Sequence, residues 1–88
     1  MKAEDGDTVY VYYVGKLEDG EVFDSSKGRE PLVFTIGSGQ VLQHFEDGVK
    51  GMEVGEEKEV VVPAGEGYDS GELAGKKLIF QVTLVKID

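Results

Sequence analysis

The sequence predicts an α+β fold: a curved, mostly antiparallel five-stranded sheet wrapped around one short helix. Three observations carry this. Apolar residues alternate over 8–16, 32–36 and 78–87, the period of strands. Only 41–49 spaces them at i, i+4 and i+8, the period of a helix. Tight turns join neighbouring strands, so those strands run antiparallel. A single amphipathic helix must bury its stripe against one face of such a sheet. The chain of 88 residues makes one domain, 1–88, with one hydrophobic centre.

Each element has its own signal. Thr8 to Lys16 reads as a strand whose two alternating sets, Val9/Val11/Tyr13 and Tyr10/Tyr12/Val14, are both apolar or aromatic. It is covered on both faces, or its tyrosine face is partly wet. Asp19-Gly20 is a hairpin turn, because Gly tolerates the positive φ such turns demand. Glu21 to Asp24 returns as the second strand, and Ser25 to Glu30 is turn-rich. Pro31 opens a third strand, Leu32 to Ile36. Gly37-Ser38-Gly39 breaks it, and Ser38 is placed to cap the helix. The helix runs from Val41 to Val49, weakened by Gly48 and ended near Gly51. After a turn at Glu53–Glu56, Lys58 to Pro63 forms the fourth strand. Ala64 to Lys77 is a Gly-rich loop with Tyr68 as its one large apolar group. Leu78 to Ile87 is the fifth strand. Leu78, Phe80, Val82 and Leu84 face one way; Ile79, Gln81, Thr83, Val85 and Ile87 face the other.

Composition narrows the function. The net charge is −9 and Arg29 is the only arginine, which argues against nucleic acid as a partner. The spread of acids reads as a solvated surface, or as steering of basic peptides. There is no cysteine, hence no disulfide or thiolate metal site. No apolar run approaches the roughly 20 residues that span a bilayer. Met1–Asp7 lacks the apolar core of a secretory signal. A cytoplasmic, monomeric protein without membrane attachment is the expectation.

The usual catalytic constellations are missing. The one histidine, His44, makes no metal cage and reads as an exposed or simply packed helix residue. Ser25 and Ser26 have no base nearby in sequence. Gly37-Ser38-Gly39 lacks the Lys-Ser/Thr of a phosphate loop. Glu46-Asp47 reads as a solvated acid pair, and a glycosidase would need a cleft between two carboxylates. What remains is a fold whose apolar interior is itself the active element. Twisting a prolyl amide suits that, since no bond breaks and neither nucleophile nor cofactor is needed. From residues alone, Phe23, Phe45 and Phe80 serve equally well as core, and Asp24 as a turn acid. Tyr68, isolated in its loop, is least explained by packing.

Several motifs together resemble the FKBP family of peptidyl-prolyl cis/trans isomerases, over about Thr8 to Ile87. They are Tyr13-x-Gly15, Leu17-x-Asp-Gly-x-x-Phe-Asp-Ser-Ser26, Val41-Leu-x-x-Phe-Glu46, Met52-x-Val-Gly-Glu56 and Leu78-x-Phe-x-Val82. The resemblance implies an FKBP-like half barrel and rotamase activity on Xaa-Pro bonds, without cofactor or metal. It implies a pocket of Tyr13, Phe23, Leu32, Val41, Leu42, Phe45, Tyr68 and Phe80. Phe45 stands at the floor, where many members have Trp, and Asp24 at the rim beside Tyr13. The backbone N–H of Leu42 and the hydroxyl of Tyr68 would bond substrate carbonyls. The implied catalytic set is Tyr13, Phe23, Asp24 and Tyr68. The implied partners are proline-containing peptides, unfolded proteins and macrolide inhibitors.

The chain departs from the family in its flap, at about 65–77. Glu72 to Phe80 is similar to the corresponding end of SlyD-like and archaeal members, which carry a chaperone domain inserted in the flap. Here that insert is absent, by nature or by engineering. His44 stands where Gly is common, and Gly67 where Ala is common. The expectation is measurable activity on short peptides, weak chaperone ability and weakened macrolide binding. Two alternatives stay open: a binding module without turnover, and an engineered scaffold lacking its flap insert.

Overall fold

The structure, a computed structural model, describes all 88 residues. Five strands and one helix follow in the order β1 (Thr8–Leu17), β2 (Val22–Ser25), β3 (Leu32–Thr35), α1 (Gln43–Val49), β4 (Glu57–Val62) and β5 (Leu78–Ile87). Every pairing is antiparallel. The sheet order is β2-β1-β5-β4, and β3 also pairs with β1. β2 and β3 share one edge of β1: Val14 faces Ser25 and Val11 faces Leu32, with the polar excursion 26–31 between them. Ser26 closes the gap, its Oγ accepting the Tyr13 N–H at 2.8 Å. No helix is long and apolar enough to cross a membrane.

The alternation of β1 and β5 sets which face is buried. Val9, Val11, Leu78, Phe80, Val82 and Leu84 are buried together with Phe34, Phe45, Val49, Met52, Val60 and Val62. Tyr10, Tyr12 and Val14 lie on the other, half-exposed face, the wet tyrosine face of the two readings above. Ile87 corrects the expected pattern. A bulge between Tyr10 and Val11 shifts the register, so Leu84 faces Val11 but Ile87 faces Val9. The extra residue flips the strand end by one position, and Ile87 packs against the core instead of lying outward with Val85.

The helix begins at Gln43 rather than Val41, and Ser38 does not cap it. The Ser38 hydroxyl instead lies 2.6 Å from the Thr35 carbonyl oxygen and 2.8 Å from Gln40 Oε1. Gly48 is required for packing. A Cβ there would stand 2.5 Å from Val60 Cγ2, so only glycine lets α1 lie this close to β4. Glu46 is not a solvated acid as expected. It is buried, and its carboxylate accepts the N–H of Gly37 at 2.9 Å and of Gly39 at 3.3 Å. Those bonds offset its desolvation and pin the β3–α1 connection to the helix. Its neighbour Asp47 is exposed, accepting the Gln43 side-chain amide at 2.8 Å.

Candidate functional site

A bulge builds one wall of the site. Between Gly15 and Lys16 the β1–β2 register slips, leaving Phe23 as an extra residue beside Asp24. Two residues then share the space opposite Gly15: Phe23 turns toward the core and Asp24 stays exposed at the rim. Phe23 lies over Gly15, where a Cβ would come within 2.7 Å of its ring. It meets Phe80 edge-on at 5.6 Å. Asp24 reaches Tyr13 instead, whose hydroxyl donates to Oδ2 at 2.7 Å, while the Ser25 N–H holds Oδ1 at 2.8 Å.

Phe45 forms the centre. Its ring stands edge-on to Phe80 at 5.1 Å, Tyr13 at 5.8 Å and Phe34 at 5.9 Å. Edge-to-face packing sets the positive rim of one ring against the negative face of the next, which fixes ring orientation as well as distance. Above these rings opens a shallow cavity of about 80 Å³, lined by Tyr13, Asp24, Leu32, Val41, Leu42, Phe45, Tyr68 and Phe80. Drug-sized sites have roughly 300–1,000 Å³. Two other hollows are lined mainly by charged residues and glycine, one near Leu17–Asp19 and Lys76, the other near Lys27–Arg29.

Of the nine residues expected at the site, the structure brings eight to this one cavity. Phe23, the ninth, packs edge-on against the Phe80 ring at 5.6 Å. Leu42, the N-cap residue of α1, donates its N–H to no group of the chain. The Tyr68 hydroxyl forms no hydrogen bond within the chain either, and the side chain is 42 % exposed. The Tyr13 phenol is pushed up to about 12, first by burial, then by its hydrogen bond to Asp24 and that carboxylate's charge. It therefore stays a donor across the physiological range. No three His, Asp or Glu side chains gather closely enough to hold a metal ion.

Two residues near the site escaped the sequence reading. Glu46 had a readable signal: with Leu42, Phe45 and Val49 it falls at i, i+3, i+4 and i+7, an acid on the apolar stripe. His44 had none, because its partner Glu66 lies 22 positions away.

Comparisons with known proteins identify the family. Residues 1–85 match the family described as FKBP-type peptidyl-prolyl cis-trans isomerase. The whole chain aligns at 41 % identity over 96 residues with peptidyl-prolyl cis-trans isomerase FKBP2 of Homo sapiens, covering 66 % of it. FK506-binding protein 2 of Yarrowia lipolytica is 45 % identical over 95 residues, with the whole chain covering 65 % of that protein. FK506-binding protein 4 of Aspergillus fumigatus is 42 % identical over 89 residues, which take in 97 % of this chain and 18 % of the relative. The chain thus spans under a fifth of the longer relative and about two thirds of the shorter ones. With an aromatic cavity under a five-stranded antiparallel sheet and a family match over almost its full length, this chain belongs to the FKBP-type peptidyl-prolyl cis-trans isomerases.

Proposed function

We propose that the chain isomerises Xaa-Pro bonds of peptides in the cavity between Phe45, Phe80 and Tyr13. The observation that carries this is an apolar cavity whose free donors sit at its edge: the Leu42 N–H and the Tyr68 hydroxyl. The proline ring enters between the aromatic walls. The planar amide is more polar than the twisted one, so leaving water removes hydration that favoured the ground state. The barrier is about 20 kcal/mol, the resonance lost on twisting. Donors at the edge hold the flanking carbonyls and so favour the twisted conformer over the planar one. Asp24, held by Tyr13, places a carboxylate at the rim.

The shallow cavity fits one ring, so macrolides are proposed to bind weakly, covering the site rather than filling it. Unfolded proteins are proposed as poor clients beside short peptides. The test is a protease-free cis/trans assay on an Ala-Leu-Pro-Phe peptide, with and without a macrolide. Acceleration that the macrolide inhibits supports catalysis in this cavity. A folded chain that binds the macrolide without accelerating the peptide would be a binding module, the reading that the weakly held Tyr68 favours.

A further inference from the structure

The segment 63–77 carries Tyr68 and keeps its hydrogen bonds almost entirely to itself. Glu66 N–H donates to the Pro63 carbonyl, Ala74 N–H to Gly71, Gly75 N–H to Tyr68 and Lys76 N–H to Leu73. One hydrogen bond leaves the segment. His44 Nε2 donates to Glu66 Oε1 at 2.8 Å. A carboxylate only accepts, so the proton lies on the imidazole. Two apolar anchors assist: Leu73, half-buried against the core, and Gly67, where a Cβ would stand 3.2 Å from Leu78 Cδ1. His44 precedes the ring at the centre of the cavity, and Glu66 stands two residues before Tyr68. The bond therefore ties the helix that carries the floor to the loop that carries the lip.

We propose that the His44–Glu66 bond is a clasp that sets Tyr68 at the cavity edge, making both positioning residues for isomerisation. Its catalytic readout rests on the isomerase reading above; its structural readout does not. An exposed pair of this kind adds little to global stability. It weighs more on local opening of a segment with so few other anchors. Neither residue lines the cavity, so the clasp acts on turnover only through Tyr68.

The experiment measures kcat/KM on the short peptide for His44→Ala, Glu66→Ala and the double variant, each with Tyr68 and with Tyr68→Phe. Backbone ¹⁵N relaxation over residues 64–70 is recorded on the same proteins. Each single variant is expected to lower kcat/KM about threefold, and the double variant no further. His44→Gln and Glu66→Gln, which keep a donor and an acceptor, should hold most of the activity. On the Tyr68→Phe background the clasp variants should cost nothing more. Motion over 64–70 should rise in both alanine variants while Tm stays in place. Full activity in both, or an equal loss without the Tyr68 hydroxyl, overturns the proposal. If the unaltered chain accelerates nothing, the isomerase reading falls by itself. Relaxation then decides the clasp: added motion supports it and unchanged order overturns it.

Discussion

The floor and the lip of the cavity are held by different physics. Phe45 and Phe80 are each 4 % exposed, stand on the helix and the central sheet, and pack edge-on against each other. Tyr68, which lines the same cavity, is 42 % exposed on a loop tied to the rest of the chain by one hydrogen bond. The floor is the hydrophobic core seen from outside, so any change there alters fold and site at once. The lip adds almost nothing to the fold, so changes there alter the site alone.

The largest expected effect breaks the floor. Phe80→Ala should cost about 3–5 kcal/mol, since it empties a buried ring site. That is a large share of the roughly 5–15 kcal/mol that holds a domain together. Urea denaturation checks it, and a cost under about 1 kcal/mol would mean the floor is not core. Gly15→Ala should cost about 1–3 kcal/mol, because the new methyl meets the Phe23 ring at 2.7 Å. Shrinking the ring in Gly15→Ala/Phe23→Leu should recover part of that loss; additive costs would show that the two residues do not press on each other.

The lip gives the opposite pattern. Tyr68→Ala should shift stability by no more than about 0.5 kcal/mol. It should lower kcat/KM on the short peptide about threefold to tenfold, the worth of one lost hydrogen bond. A drop in stability matching the drop in turnover would erase the contrast.

The smallest effect concerns Tyr13, which belongs to both regions. Its phenol is pushed up to about 12 by burial first and Asp24 second. A raised folded pKa means the fold favours the protonated phenol. Its contribution is therefore whole below the ordinary value near 10 and is lost as the pH rises from about 10 to about 12. The hydroxyl sits at the half-buried rim, where solvent screens the charge, so the stability change is small. A late tyrosinate absorbance, near pH 12, should belong to Tyr13. Tyr13→Phe should remove that late phase. Asp24→Asn should move it down without abolishing it, because burial remains.

The contrast also explains what the sequence revealed. Strands, helix and floor were legible because a period of two or of i, i+4 is imposed by burial, and burial here is continuous. Val9, Val11, Phe80 and Phe45 all lie where their spacing puts them. Ile87 departs from its spacing because one extra residue in a ladder reverses every side chain beyond it and leaves no mark in composition. Glu46 is buried rather than solvated because its partners are backbone amides of a turn, which a residue pattern cannot display. Ser38 is a cap by residue type, yet Leu42 holds that position with no side-chain bond at all. The slip that leaves Phe23 beside Asp24 and edge-on to Phe80 is likewise invisible in a residue pattern. The His44–Glu66 bond joins distant segments through exposed side chains, where periodicity says nothing.

β1 is hydrogen-bonded along nearly its whole length to β5, with Val9 opposite Ile87 and Leu17 opposite Leu78. The central pairing of the sheet thus joins the first strand to the last. On a ribosome the core cannot close until β5 has emerged, so every earlier strand must wait with its apolar face uncovered. Such non-local pairing places folding toward the slow end, in about milliseconds to seconds. Joining the neighbouring ends of β5 and β1 and opening the chain at the exposed turn 53–56, outside the cavity lining, would make that pairing local. The permuted protein should reach the same sheet faster, with its cavity unchanged.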